Sequence, residues 1–144
     1  MPYTLNAFFL WGEKLHANDV KLVRVYTREI GGRIFEDTFP SDSEFEVVVE
    51  AKAGAAIHGG GGKYVIRIVV RDLTDLTVVH EDGLEGNFAS KPWDEVDFSH
   101  AFSIPAQGPA KENHIYEVLA SLVVGVRNPN VSFAKSPVFI ITKP

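Results

Sequence analysis

A concentration of carboxylates is the feature of this sequence that most resembles a chemical site. Residues 72–97 carry eight acids and one base, Lys91, for a local net charge of −7, whereas the other 11 acids and 13 bases sum to +2. Calcium takes about six to eight oxygen ligands, many of them carboxylates and carbonyls on loops. The predicted calcium ligands are Asp72, Asp75, Asp82, Glu85 and Asn87. Their spacing is not that of an EF-hand, and a solvated acidic face is the alternative explanation.

An aromatic ring among carboxylates in the same stretch suggests a ligand-binding surface. Trp93 is followed by Asp94 and Glu95. A tryptophan ring can stack on the apolar face of a sugar while carboxylates accept hydrogen bonds from its hydroxyls. His58, in the glycine-rich segment 54–62, completes the predicted ligand-binding set. The alternative is that Trp93 folds inward and covers one end of the core.

The glycine-rich segment 54–62 superficially resembles a phosphate-binding loop, because four consecutive glycines precede Lys63. Ile57 stands where the first glycine of that motif belongs, and Tyr64 follows the lysine in place of serine or threonine. The next residues also alternate as in a strand instead of opening a helix. The segment is therefore predicted to be a connection between strands.

Histidine and carboxylate side chains suited to acid–base chemistry are present but scattered. A metal-assisted or acid–base hydrolase built from His80, Asp82 and neighbouring carboxylates is one alternative function. The five histidines show no His-x-x-x-His spacing, and the chain has neither a Gly-x-Ser-x-Gly motif nor a cysteine. No motif in the sequence therefore supports catalysis.

Alternation of apolar with polar residues predicts the strands that must position these side chains. Phe45, Val47, Val49 and Ala51 alternate with Glu44, Glu46, Glu50 and Lys52, broken only by Val48. Tyr64, Ile66, Ile68 and Val70 alternate in the same way with Lys63, Arg67 and Arg71. Successive side chains of a strand point to opposite faces of a sheet, so each run indicates a half-buried strand. We expect these two strands to be neighbours in one sheet.

Weaker strand signals occupy the rest of the chain, at residues 3–11, 20–26, 33–39, 76–79 and 96–104, with two last strands or one bent strand in 132–142. Residues 112–126 fit both a helical stripe and a strand, and their valine content favours a strand. Eight or nine short strands with at most one short helix predict an all-β, antiparallel two-sheet sandwich, immunoglobulin-like or jelly-roll-like. Residues 1–144 are predicted to form a single domain.

The composition of the chain indicates which partners and which cellular compartment to expect. The net charge of −5 argues against nonspecific nucleic-acid binding, which needs a basic surface. No apolar run approaches the roughly 20 residues of a membrane helix. The absence of cysteine and of a leader sequence predicts the cytoplasm, with export as the alternative if the N-terminus has been trimmed.

These observations predict a noncatalytic binding module. Its ligand-contacting loops are expected at residues 54–62 and 82–95, and its partner is a protein or a carbohydrate. No cofactor is expected, with Ca²⁺ as the alternative. Besides the hydrolase, a second alternative is a self-assembling structural subunit, a homo-oligomer that pairs through an edge strand such as 33–39 or 137–142.

Overall fold

Two sheets packed around one apolar core form the fold. The computed structural model describes residues 20–53, 62–87, 97–125 and 130–144. Within these ranges the strands are β1 (Val20–Glu29), β2 (Thr38–Pro40), β3 (Phe45–Ala53), β4 (Lys63–Asp72), β5 (Thr77–Asn87), β6 (Asp97–Ile104), β7 (Ile115–Val124), β8 (Asn130–Lys135) and β9 (Phe139–Thr142). The smaller sheet has the order β1-β3-β6, and the larger has the order β2-β9-β7-β4-β5 with β8 also paired to β7. The predicted all-β sandwich is confirmed.

Period-two alternation directs the large side chains of β3, β4 and β7 into the core. Tyr64, Ile66, Ile68 and Val70 of β4 are each at most 1% exposed. Within residues 112–126, Ile115–Val124 form the strand β7, as the valine content favours, and its buried side chains largely recur at every second position. Phe39, Phe45 and Phe139 are in mutual contact in the core, with the rings of Phe39 and Phe45 stacked at 4.6 Å between centroids.

The strands β3 and β4 lie in different sheets, so the prediction that they are neighbours is wrong. β3 pairs with β1 and β6, whereas β4 pairs with β5 and β7. Alternation shows which face of a strand is buried, but it contains no information about the neighbouring strand. In a sandwich, two consecutive strands can place their apolar faces against each other from opposite sheets.

Two further predictions are corrected at the strand ends. Of the predicted strand 33–39 only Thr38–Pro40 is extended, because the preceding residues pack as a loop in which Glu36 exchanges two hydrogen bonds with Thr27. β5 continues to Asn87, so residues 82–87 belong to a strand and not to a loop. Gly86 does not serve a turn: it lies against the ring of Tyr64.

The two long sides of the sandwich differ. On one side the sheets meet where the backbone N–H of Leu22 in β1 donates to Oγ of Ser132 in β8, at 2.9 Å. On the other side, β6 is the last described strand of the smaller sheet and β5 is the last described strand of the larger one. β9 is paired on both sides, in parallel with β2 and antiparallel with β7, so it is not the free edge expected for 137–142.

Helical structure in the described ranges is confined to the 3-10 turn Pro109–Lys111, in keeping with the prediction of at most one short helix. No helix in these ranges has the length and apolarity that a membrane crossing requires. The predicted strand 3–11 lies outside the described residues.

Candidate functional site

The predicted calcium ligands are divided between the two ends of the β4–β5 hairpin. Asp72 ends β4 and Asp75 lies in the turn, whereas Asp82, Glu85 and Asn87 lie along β5. Asn87 is opposite Lys63, nine residues of β4 away from Asp72, which is about 30 Å along a strand. The five residues therefore do not surround one ion, because the acidic stretch that was expected to be a loop is largely extended strand.

Asp72 is the centre of a hydrogen-bonded group of charges, which we call the acidic cluster: Asp72, Asp75, Lys111 and His114. The carboxylate of Asp72 has no exposed surface. Its Oδ1 accepts the backbone N–H groups of Thr74 at 2.9 Å and Asp75 at 3.1 Å. Its Oδ2 accepts from Nζ of Lys111 at 2.9 Å and from Nδ1 of His114 at 2.7 Å. Four donors thus satisfy this buried carboxylate, as a buried charge requires.

The electrostatics of the acidic cluster favour the ionised carboxylate. Burial alone would raise the pKa of Asp72, but the hydrogen bonds from His114 and Lys111 outweigh burial and lower the pKa to about 2. The hydrogen bond to Asp72 in turn raises the pKa of Lys111. The ammonium group also contacts Asp75, at 3.2 Å. Lys111 therefore supplies the positive charge that the two carboxylates need.

Donor atoms of Asp72, Asp75 and His114 lie within 4.8 Å of one another, which is close enough for ligands of a metal. Both oxygens of Asp72 are already hydrogen-bonded, and the lysine ammonium is the counterion. The arrangement is therefore best explained as a structural contact that joins the β4–β5 turn to the residues before β7. Lys111 and His114 were not singled out from the sequence, because they stand 39 and 42 residues from Asp72.

His80 and Asp82, the two residues of the hydrolase hypothesis, lie together on β5, whereas the other described histidines have separate surroundings. Nε2 of His80 is buried, has no hydrogen-bond partner among the described residues, and lies 3.5 Å from Oδ2 of Asp82. The ring of His100 packs against Phe102 at 4.6 Å, and His114 belongs to the acidic cluster. A pocket of about 430 Å³ lies on the smaller sheet, and none of the described residues that line it is a histidine. Nothing in these contacts adds support for a hydrolase.

The outer face of the smaller sheet is covered by its own ion pairs. Arg24 of β1 binds Glu50 of β3 through two hydrogen bonds, of 3.2 and 3.0 Å, and its guanidinium lies 4.3 Å from the ring centroid of Tyr26. Arg28 binds Glu46 at 2.8 Å. Beneath these side chains Val48 is only 1% exposed although its strand position faces outward. This face presents paired charges to the outside.

The outer face of the larger sheet is apolar at its centre. Four strands contribute, and their register places the outward side chains in three successive rows from β5 to β8: Glu85-Val65-Val123-Val131, Gly83-Arg67-Ser121-Phe133 and Glu81-Val69-Leu119-Lys135. We call these twelve residues the apolar face. Phe133 is 76% exposed and Val131 is 47% exposed. An antiparallel sheet packed on one side normally presents polar side chains on the other.

Charged side chains lie at the border of the apolar face. In the row beyond Leu119, Glu117 accepts a hydrogen bond from Arg71 at 3.2 Å and lies 3.6 Å from Nζ of Lys135. The guanidinium of Arg67 forms no hydrogen bond or ion pair with any residue that the structure describes. The face therefore combines aliphatic side chains with an exposed aromatic ring and an arginine, two residue types that are enriched in protein interfaces.

The predicted ligand-binding residues Trp93, Asp94, Glu95 and His58 lie outside the described residues, so their assignment stays a prediction. The same holds for most of the predicted loops 54–62 and 82–95. Comparison with protein-family models and with curated protein sequences finds no match.

Proposed function

We propose that this chain is a noncatalytic interaction module that binds a protein partner through the apolar face. The observation that carries the proposal is the 76% exposure of Phe133, with Val131 beside it, on the outside of a sheet whose inner side already packs the core. Exposed apolar patches on the surface of a domain commonly mark a site of protein association. The paired charges on the outer face of the smaller sheet offer no comparable surface.

The chemistry of the apolar face fits a protein better than a carbohydrate. Sugars are bound in concave sites with several polar groups that fix their hydroxyls. This face instead carries five aliphatic side chains and one aromatic ring with only Arg67 and Ser121 as polar groups in its middle row, and it lies on a sheet. Burial of Phe133 and Val131 would together contribute on the order of a few kcal/mol, the size of an interface hot spot.

The proposal moves the binding surface from the loops to the sheet. The carbohydrate partner, the loop residues around Trp93 and the immunoglobulin-like subtype of the sandwich stay predictions made from the sequence. Calcium binding also stays a prediction made from the sequence, although Lys111 provides the counterion for Asp72 and Asp75, two of the predicted ligands.

A photocrosslinker placed on the apolar face tests the proposal, because it captures a bound protein whatever that protein is. Phe133 is replaced by p-benzoylphenylalanine, and Ser99, an exposed residue of the smaller sheet, is replaced in the same way as a control. We expect illumination in cells to link position 133 to one protein, identified by mass spectrometry. An excess of the unmodified chain should compete for that product, whereas an excess of the Phe133→Glu variant should not. Equal yields at the two positions, or no product at position 133, would contradict the proposal.

A further inference from the structure

We propose that the partner bound by the apolar face is a second copy of this chain, related by a twofold axis that runs parallel to the strands along the seam between β4 and β7. This inference rests on the proposed function of the face. It follows from the order of the side chains across the four strands, which brings complementary groups together under that rotation except at Glu85, which comes to lie over Val131 of the second copy.

The rotation exchanges strands across the seam and leaves positions along the strands unchanged. β4 of one copy then lies over β7 of the other, and β5 lies over β8, as in two sheets packed about 10 Å apart. Val65 faces Val123 of the second copy, and Val69 faces Leu119. Arg67, which is unpaired among the described residues, faces the hydroxyl of Ser121. Four apolar contacts thus surround the axis.

The shape of the face is complementary under the same rotation. Phe133, the most exposed side chain of the face, comes to lie over Gly83 of the second copy, since the two residues occupy the same row on opposite outer strands. Gly83 has no side chain, so it leaves a hollow at the β5 edge beside the stem of Arg67. Each copy offers one projecting ring and one hollow, as a twofold contact requires.

The charges favour a twofold axis parallel to the strands over one perpendicular to them. With the axis parallel to the strands, Glu81 faces Lys135 of the second copy and Arg71 faces Glu117. With an axis perpendicular to the strands, positions along each strand would be inverted, and Glu81 would face Glu85. Like charges placed opposite each other disfavour a contact. The first arrangement gives four opposite-charge contacts in a symmetric pair.

The size of the face predicts a weak dimer. Four strands and seven residues along each span about 19 by 23 Å, so the two copies together cover on the order of 900 Å². Stable protein interfaces generally bury about 1,200 Å² or more. We therefore expect a monomer–dimer equilibrium that shifts with concentration, and no permanent dimer.

Charge reversal at Glu81 and Lys135 provides the test. Each single variant, Glu81→Lys or Lys135→Glu, places like charges opposite each other twice in its own dimer. We expect dimerisation to weaken about tenfold, because two exposed contacts change from attraction to repulsion. A mixture of the two variants should form a heterodimer in which both contacts join opposite charges. Sedimentation velocity over a concentration series measures the dimer fraction of the wild type, of the two single variants and of their mixture. Lys21→Glu, on the smaller sheet, is the control.

Wild-type chain that sediments as a monomer throughout the series overturns the inference, and so does a mixture that associates no better than its components. If the chain stays monomeric but position 133 cross-links to a different protein, the apolar face binds as proposed and the twofold dimer is wrong. If position 133 forms no cross-link and the chain stays monomeric, both proposals fail. Circular dichroism of each variant confirms that the charge changes leave the fold intact.

Discussion

Nδ1 of His114 lies 2.7 Å from Oδ2 of Asp72, and this contact joins two segments that are 42 residues apart in the chain. The same carboxylate binds Lys111 from the 3-10 turn before β7. Backbone contacts reinforce the connection, since the N–H of Leu73 donates to the carbonyl of Ile115 at 2.7 Å. The acidic cluster therefore fastens the β4–β5 turn to the start of β7 at one end of the sandwich.

Replacement of Asp72 by asparagine should destabilise the fold. The neutral amide cannot balance the charge of Lys111, and the lowering of the Asp72 pKa from 3.8 to about 2 corresponds to about 2 kcal/mol of stabilisation at neutral pH. Urea denaturation measures the loss. Asp82→Asn, at a more exposed carboxylate of β5, is the matched control and should change stability little. Equal losses of unfolding free energy in the two variants would show that the contacts of Asp72 stabilise the fold no more than those of an exposed carboxylate.

Acid should remove the stabilisation that Asp72 provides. Folding lowers the pKa of this carboxyl from 3.8 to about 2, so its ionised form is favoured in the folded state. A lowered pKa gives stability that is complete above pH 4 and is lost as the pH falls toward 2. The difference in unfolding free energy between wild type and Asp72→Asn should therefore shrink over that interval. A difference that stays constant from pH 4 to pH 2 would contradict this assignment.

Calcium should leave the melting temperature of the wild-type chain unchanged. The ammonium of Lys111 contacts both Asp72 and Asp75, and the remaining oxygen of Asp72 accepts two backbone hydrogen bonds. An ion that bound only the folded chain would raise the melting temperature by mass action. A thermal-shift titration with calcium, and with magnesium for comparison, makes the measurement. A calcium-specific rise would support the calcium prediction made from the sequence.

Addition of a methyl group at Gly86 should destabilise the larger sheet. A Cβ atom there would overlap the ring of Tyr64, which is 1% exposed in the core. Overpacking of this kind costs about 1–3 kcal/mol. Urea denaturation of Gly86→Ala should show that loss, whereas Glu85→Ala, at the exposed neighbouring position, should not. A fully stable Gly86→Ala variant would mean that Tyr64 can move away without cost.

Replacement of Phe133 by serine should change binding without changing stability. The ring is 76% exposed, so its removal should alter the unfolding free energy by no more than about 0.5 kcal/mol at concentrations where the chain is monomeric. Phe139→Ser is the contrasting variant, because that ring is 2% exposed and its truncation should cost about 3 kcal/mol or more. Chemical denaturation compares the two. A large loss at Phe133 would mean that the ring is structural.

Many residues of the apolar face can be recognised in the sequence as apolar side chains at outward positions of single strands. Val65 and Val69 stand at outward positions of β4, where the alternation predicts polar residues, and Phe133 stands at an outward position of β8. Such departures from alternation mark apolar outer positions strand by strand. They become one surface only because β4, β7 and β8 are neighbours in the larger sheet, which the sequence does not specify.

The sequence by itself determined that the chain forms strands and which side of most strands is buried, because side-chain direction along a strand depends only on position in the local pattern. It did not determine that β3 and β4 belong to different sheets, that Asp72 meets Lys111 and His114, or that Phe133 and Gly83 share a row. These relationships join residues far apart in the chain. The tertiary structure decided them, since strand pairing depends on how the whole set of apolar faces can be buried at once.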